Sequence, residues 1–340
     1  MVCSRRVSFA VVGVGNIGAL HAENLALKIP NARLEAIVDS NKNRLYSLAT
    51  KLNVKKLYTD YDLVLKDDAV EALVLAVPTY LKQKMIEKAI LAKKHIFVEK
   101  PMVLNLTEAE EIARLLRKSK IKFQVGYQRR FDRAFLLAKD QVKSGSLGVI
   151  QFVMSRTRDP PGNFEGWLSD PNLSGGIWLD TLSHDFDIIH FVTSSRVSKV
   201  YAEASTLVYE ELRKKGDYDN VVVAMRLDNG ALACVDSCAY TPYGYDIRFE
   251  IVGTKSAVVI GGATNSPYKA LSEDAIIADI TRNYVQRFER AYRDELEDFA
   301  RCIIMDDTPK VGFDEGYAAI KVALSAWQAF KMGKPISLSW

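Results

Sequence analysis

Val7-Ser8-Phe9-Ala10-Val11-Val12-Gly13-Val14-Gly15-Asn16-Ile17-Gly18 decides the fold. A mostly apolar run leads straight into a GxGxxG, and residues 19–28 continue with a helical pattern. Glycines between a strand and a helix have defined tasks. Gly13 permits the tight turn, Gly15 lets the main chain approach a pyrophosphate, and Gly18 lets helix and strand pack closely. Asn16 and Ile17 open the helix, whose free N–H groups and positive potential suit phosphates. About twenty residues on stands Asp39, where a carboxylate can accept hydrogen bonds from the adenosine ribose. It would repel a 2′-phosphate, which favours NAD, although Lys42 and Arg44 nearby leave NADP open.

Working outward, further strand candidates lie at 34–38, 72–76, 95–98 and 122–125, with helix-length segments at 84–91 and 105–117. The second of these carries Thr107 and Glu110 at capping-box spacing. Alternating strands and helices predict a parallel sheet covered on both faces. After Gly126 the pattern changes. A helix over 131–143 ends at Ser144-Gly145, and runs rich in β-branched and aromatic residues follow at 149–156, 197–207, 221–227, 231–239, 247–252 and 257–260. Asp228-Asn229-Gly230 is a hairpin turn, so this half reads as a mostly antiparallel sheet. Val285, Phe288, Tyr292, Leu296, Phe299 and Ile303 fall at helical spacing, and a last helix runs from Glu315 to Gly333, with Pro335 beyond. The expected organisation is α/β, with a dinucleotide-binding domain over 1–125. A substrate-binding and oligomerisation domain follows over 126–340, its last helix packing back on the first domain.

Composition excludes several classes. The 340 residues are 48% hydrophobic and 26% charged, with a net charge of 46 − 42 = +4. The basic residues are scattered, which argues against a nucleic-acid partner. Cysteines at 3, 234, 238 and 302 form no CxxC, and histidines at 21, 95, 184 and 190 have no ligand spacing, so neither disulfides nor a metal are expected. No apolar run is long enough to span a membrane. A core strand beginning by Val7 leaves no room for a leader, and the expected compartment is the cytoplasm.

Hydride transfer from a secondary alcohol needs a base for the hydroxyl proton and a cation for the developing alkoxide. Val98-Glu99-Lys100-Pro101 closes the fourth strand candidate, and ligands bind at the carboxyl ends of parallel strands. Lys100 is the cation candidate there. The second cluster is Gly175-Gly176-Ile177-Trp178-Leu179-Asp180-Thr181-Leu182-Ser183-His184-Asp185-Phe186-Asp187. On a regular helix Asp180, His184 and Asp187 share a face, and a carboxylate beside a histidine holds its ring.

Together the 13–18 glycine motif, Asp39, Glu99-Lys100-Pro101 and the 175–187 segment resemble the glucose–fructose oxidoreductase / inositol dehydrogenase / MocA family. The resemblance covers essentially the whole chain. His21-Ala22-Glu23-Asn24-Leu25, Gln128-Arg129-Arg130-Phe131-Asp132, Arg158-Asp159-Pro160 and Tyr243-Gly244-Tyr245-Asp246 are similar to its inositol dehydrogenase branch. The resemblance implies a Rossmann domain followed by an α/β domain whose open, mostly antiparallel sheet makes a homodimer or homotetramer. It implies hydride transfer between NAD(H) and a secondary hydroxyl of a cyclic polyol, with inositol 2-dehydrogenase as the leading activity. A pyranose dehydrogenase is the alternative, and a non-catalytic NAD(P)-binding regulator a third reading.

The same resemblance implies catalysis by Lys100, Asp180 and His184, with His184 as acid/base, Lys100 polarising the oxygen and Asp180 orienting the groups. Cofactor contacts are implied for Gly13, Gly15, Asn16, Ile17, Gly18, Asp39, Pro78, Thr79, Glu99 and Lys100. Substrate contacts are implied for Arg130, Arg158, Asp159, Trp167, Asp180, His184 and Tyr245, although Arg158, Asp159 and Tyr245 also read as surface or packing residues. Relatives often carry a histidine in the loop after the third strand, where this chain has Lys82. Trp167 and Trp178 either stack on substrate or pack the domain.

Overall fold

The computed structural model describes residues 5–340, so Cys3 lies outside the described residues. Two compact units emerge: one runs to Gln128 and takes in Arg290–Ala318, the other is Arg129–Glu289 with Ala319–Trp340.

In the first unit β1 (Val7–Val12), β2 (Ala32–Val38), β3 (Lys56–Tyr58), β4 (Ala72–Leu75), β5 (His95–Glu99) and β6 (Phe123–Gly126) form one parallel sheet in the order β3-β2-β1-β4-β5-β6. Connections run through α1 (Asn16–Leu27), α2 (Lys42–Leu52), α3 (Tyr61–Leu65), α4 (Thr79–Leu91) and α5 (Leu106–Leu116). β1 and β4 are buried along their whole length, which is why they read as continuous apolar runs. β3 goes beyond the strands expected, because three half-buried residues are too few for periodicity to show. The cap of α5 also differs from expectation. Asn105, rather than Thr107, is the N-cap: its Oδ1 accepts from Glu108 N at 2.9 Å, and Glu108 Oε2 accepts from Leu104 N at 3.0 Å. Asparagine outranks threonine as a cap, and the box moves two residues earlier.

In the second unit β7 (Ile150–Arg158), β8 (Val197–Ser205), β9 (Asn220–Leu227), β10 (Leu232–Cys238), β11 (Asp246–Gly253) and β12 (Ala257–Gly261) are the backbone of a sheet. β13 (Thr264–Leu271) and β14 (Ile276–Ile280) pair as a separate hairpin, and β15 (Ile336–Ser337) adds to β8. The order is β12-β11-β7-β10-β9-β8-β15, antiparallel throughout except for the parallel pair β7–β10. The β9–β10 turn takes the form its residues predict, with Gly230 at φ +90° and Asn229 Oδ1 accepting from Ala231 N at 3.0 Å. Helices here are α6 (Arg133–Lys143), α7 (Pro171–Ser174), α8 (Ser183–Thr193) and α9 (Glu210–Lys215); α10 (Tyr284–Met305) and α11 (Phe313–Met332) each contribute residues to both units. β13 and β14 went unread because their exposed, mixed residues carry no alternation.

Leu296, Phe299, Ala300 and Ile303 of α10 join the core of the first unit, where the Phe299 ring lies 6.1 Å from Phe9 and 6.0 Å from Phe97. Burying one such ring stabilises by about 1.5–3 kcal/mol. No helix among the described residues is long and apolar enough to cross a membrane.

Candidate functional site

Strand order in the first unit reverses between β1 and β4, and the loops after these strands flank the crevice such a reversal creates. Gly13 has φ +85°, and a Cβ there would fall 2.5 Å from the Ala76 carbonyl oxygen. A Cβ at Gly18 would lie 1.8 Å from the Gly13 oxygen, so this glycine sets the helix against the turn. At Gly15 a Cβ would meet nothing within 4 Å, which leaves the main chain open to a ligand. Gly15 is the N-cap of α1 and makes no side-chain cap; Asn16 is exposed and Ile17 half-buried beside it. Pro78 caps α4 directly after β4, with Thr79 buried at its first turn. Asp39 ends β2 half-buried, its Oδ2 accepting from Val14 N at 2.8 Å and its Oδ1 from Asn41 N at 2.7 Å. The acid thus ties the glycine loop to β2 and keeps further lone pairs for a ribose. This cradle fits a dinucleotide.

At the end of β5, Lys100 is half-buried and its bond to Pro101 is cis. Lys82, almost fully buried, donates to the carbonyls of Glu99 at 2.7 Å, Lys100 at 3.1 Å and Pro101 at 2.9 Å. Where a histidine was expected, this lysine clasps the turn that carries Lys100. Glu99, expected among the cofactor contacts, turns its side chain inward. Its carboxylate is buried, with Oε1 2.6 Å from His21 Nε2 on α1.

In the second unit the two quoted arginines clamp two aspartates of α8. Arg129 Nη1 donates to Asp185 Oδ1 at 2.8 Å, with Ser155 and Thr157 hydroxyls also donating to that carboxylate. Arg130 grips Asp187 through Nε and Nη2, the shortest contact being 2.7 Å. Both pairs are buried. Arg130 therefore anchors a helix, and Asp187 is buried and does not join Asp180 and His184 on one open face. A regular helical pitch does not apply across 180–187: residues Ile177–Thr181 are π-helical, with Leu182 N donating to Ile177 O at 3.0 Å. Such widened turns recur at functional sites. Gly175 and Gly176, at φ +89° and +59°, launch this turn. A Cβ at Gly176 would fall 2.6 Å from Asp217 Oδ1, the atom that accepts from Ile177 N at 3.2 Å. Burial, reinforced by the charge of Asp180, pushes the Asp217 carboxyl up to about 6.

Between residues 176 and 193, only Asp180, Thr181 and His184 escape burial. The other described histidines serve elsewhere. His190 Nε2 accepts from Val197 N at 3.3 Å, and burial drives its pKa down to about 3. His95 Nδ1 accepts from Lys122 N at 2.9 Å, and burial lowers it too. Asp159 and Tyr245 are brought together electrostatically around Arg129. Tyr245 is buried, which raises its hydroxyl pKa, and its ring meets Phe288 edge-on at 6.4 Å. Arg158 has a structural partner. Alternation along β7 turns Ser155 and Thr157 towards Asp185 and sends Arg156 and Arg158 to the opposite face, where both pair with Asp236. Trp167 is half-buried in a short 3₁₀ turn. Trp178 resolves to packing, buried between Tyr218 at 6.0 Å and Phe330 at 5.8 Å.

Sequence comparison agrees with this geometry. Residues 7–127 match the model for an oxidoreductase family with an NAD-binding Rossmann fold, and residues 135–259 match the GFO/IDH/MocA C-terminal domain. The chain is 32% identical to scyllo-inositol 2-dehydrogenase (NAD(+)) of Bacillus subtilis over 98% of this chain and 96% of that one. It is also 32% identical to myo-inositol 2-dehydrogenase of Thermotoga maritima, over 96% and 97%. The crystal structure of scyllo-inositol dehydrogenase from Lactobacillus casei with bound NAD(H) and scyllo-inositol superposes with a TM-score of 0.92 at 28% identity, covering 98% of this chain and 99% of that one. The glycine cradle, the lysine turn and the clamped Asp180–His184 segment thus belong to a member of the GFO/IDH/MocA oxidoreductase family.

Proposed function

We propose that the protein is an NAD-dependent inositol 2-dehydrogenase that oxidises one ring hydroxyl to a ketone. The observation that carries this reading is the accessible Asp180–His184 pair at the start of a helix otherwise buried and clamped by two arginines. A base held so firmly needs little reorganisation when it takes a proton. In the proposed reaction His184 accepts the hydroxyl proton, Lys100 stabilises the developing alkoxide, and Asp180 orients the hydroxyl and the two basic groups. Bound NAD supplies the hydride acceptor. Asp39 and the open main chain at Gly15 hold its adenosine and pyrophosphate portions, with Gly13, Asn16, Ile17, Gly18, Pro78 and Thr79 completing the cradle. Arg130, Arg158, Asp159, Trp167 and Tyr245 are the ring-contact candidates, of which Arg130 and Arg158 also pair with aspartates.

The same reading takes the working form to be a homodimer or homotetramer built on the exposed face of the seven-stranded sheet. Val222, Leu232 and Val259 are 52%, 48% and 72% exposed there, apolar positions set among Arg226, Asp236 and Glu250 on the face that a second copy would cover. A cytoplasmic setting fits the free thiols of Cys234, Cys238 and Cys302.

The test is NADH formation across inositol stereoisomers, glucose, galactose and xylose. Turnover is expected on at least one inositol and to exceed that on every sugar. Sugar turnover with no inositol active would replace this reading by a pyranose dehydrogenase.

A further inference from the structure

Three ionisable side chains meet inside the first unit. His21 on α1, Glu99 at the end of β5 and Glu295 on α10 each bring a nitrogen or carboxyl oxygen within 4.8 Å of the others, and all three residues are buried. His21 Nε2 and Glu99 Oε1 form a close pair at 2.6 Å. Glu295 is 0% exposed, and neither of its carboxyl oxygens has a hydrogen-bond partner, although its main-chain carbonyl accepts from Gln124 Nε2 at 2.9 Å. Aromatic rings surround the imidazole, Phe97 at 5.4 Å and Tyr292 at 6.0 Å.

An ionised Glu295 would set a second buried negative charge beside Glu99, with one histidine to offset both. Two neighbouring carboxyls in a dry site cannot both ionise cheaply. Burial first, and the charge of Glu99 second, push the Glu295 carboxyl well above the usual carboxylate range.

We propose that Glu295 is a proton-holding positioning residue: as a neutral acid it leaves the Glu99–His21 pair intact, and so fixes the strand end that carries Lys100. Glu99 is gripped twice, by its side chain in this trio and by its carbonyl through the Lys82 ammonium. Among the described residues, His21 from α1 and Glu99 from β5 are the ionisable groups brought to Glu295, and Tyr292 of its own helix lies against the His21 ring. Lys82 of α4 acts on Glu99 from the main-chain side. Loss of the proton would drive the two carboxylates apart and loosen the residue next to Lys100. The catalytic consequence rests on the reading of Lys100 given above; the proton does not.

Infrared difference spectra between wild type and Glu295→Gln at neutral pH test the proton directly. The wild type is expected to show the C=O stretch of a protonated carboxylic acid that the variant lacks. Glutamine keeps shape and neutrality, so Glu295→Gln is expected to keep turnover within about twofold. Glu295→Leu is also neutral but is too short and branched to fill the carboxyl's place beside Glu99 and His21, and is expected to lower kcat roughly tenfold or more. A folded-state acid with a raised pKa binds a proton that the unfolded chain releases, so wild-type stability falls as pH rises above the ordinary carboxyl range. The Tm of Glu295→Gln is therefore expected to gain on wild type as pH rises above the ordinary carboxyl range. Absence of the band overturns the proposal, as does a Glu295→Gln variant that fails to fold or is as impaired as Glu295→Leu. A Tm that drops on dialysis against chelator and recovers with a divalent cation also overturns it, since the trio would then be ligating. Should the wild type turn over no polyol, the role of Lys100 falls while the band and the Tm trend still decide the proton.

Discussion

His184 and Asp217 behave differently although both serve one short segment. His184 is half-buried beside Asp180 in sequence, and His184→Ala is expected to lower kcat at least about a hundredfold while NAD affinity measured by fluorescence titration barely moves. Normal turnover in that variant would remove the general-base assignment. Asp217 is buried under Gly176 with its carboxyl raised to about 6. The folded protein binds this proton more tightly than the unfolded chain, so stability is lost as pH climbs from about 4 to about 6 and stays lost above. Asp217→Asn is thus expected to be more stable than wild type at pH 8 by up to about 3 kcal/mol, with the advantage vanishing near pH 4 in urea titrations. An unchanged difference across that range counts against the raised carboxyl. The sequence displayed His184 and Asp180 through their clustering, but Asp217 carried no signal, since only folding brings it under a turn forty residues away. Asp187 keeps its place three residues after His184 on α8 but is buried against Arg130, which spacing alone could not show.

Elements are held by buried charges that the sequence showed only as scattered basic pairs. Arg129 and Arg130 look like a surface run, yet each closes on an aspartate of α8. Lys82 looks like a helix-surface lysine, yet it caps three carbonyls at the end of β5. Periodicity reports which side of a helix is apolar, and cannot report that a long side chain has crossed the packing to reach carbonyls. Lys82→Met is expected to lower stability by about 2–5 kcal/mol, because it leaves buried carbonyl oxygens without a donor. The Tm and denaturant midpoint should fall together, and a variant as stable as wild type would show that the clasp holds nothing. The strands and long helices were legible because apolar runs and helical spacing are local properties. β3, β13 and β14 were not, being too short or too exposed to leave a pattern.

For the whole molecule, the strand register of the second unit places Val222, Leu232 and Val259 on one face, since residues paired across a sheet share a side. Val222→Glu is expected to shift sedimentation towards the monomer, with activity lost only as far as assembly supports it; an unaltered sedimentation coefficient would place the contact elsewhere. Nothing in one chain's sequence separates a strip covered by a second copy from one facing water, which is why assembly was readable only through resemblance. The single parallel pairing in this sheet has its own consequence. β7 and β10 lie side by side although β7 ends at Arg158 and β10 starts at Leu232. Parallel neighbours cannot be joined by a tight turn, so the chain has to leave and come back. On the outward leg, before β8 begins at Val197, it carries Asp159, Trp167, Asp180 and His184. In the proposed reaction the general base and the ring-contact candidates of the second unit therefore ride on an excursion, where the choice of ring can be rewritten like a cassette while the strands keep their neighbours.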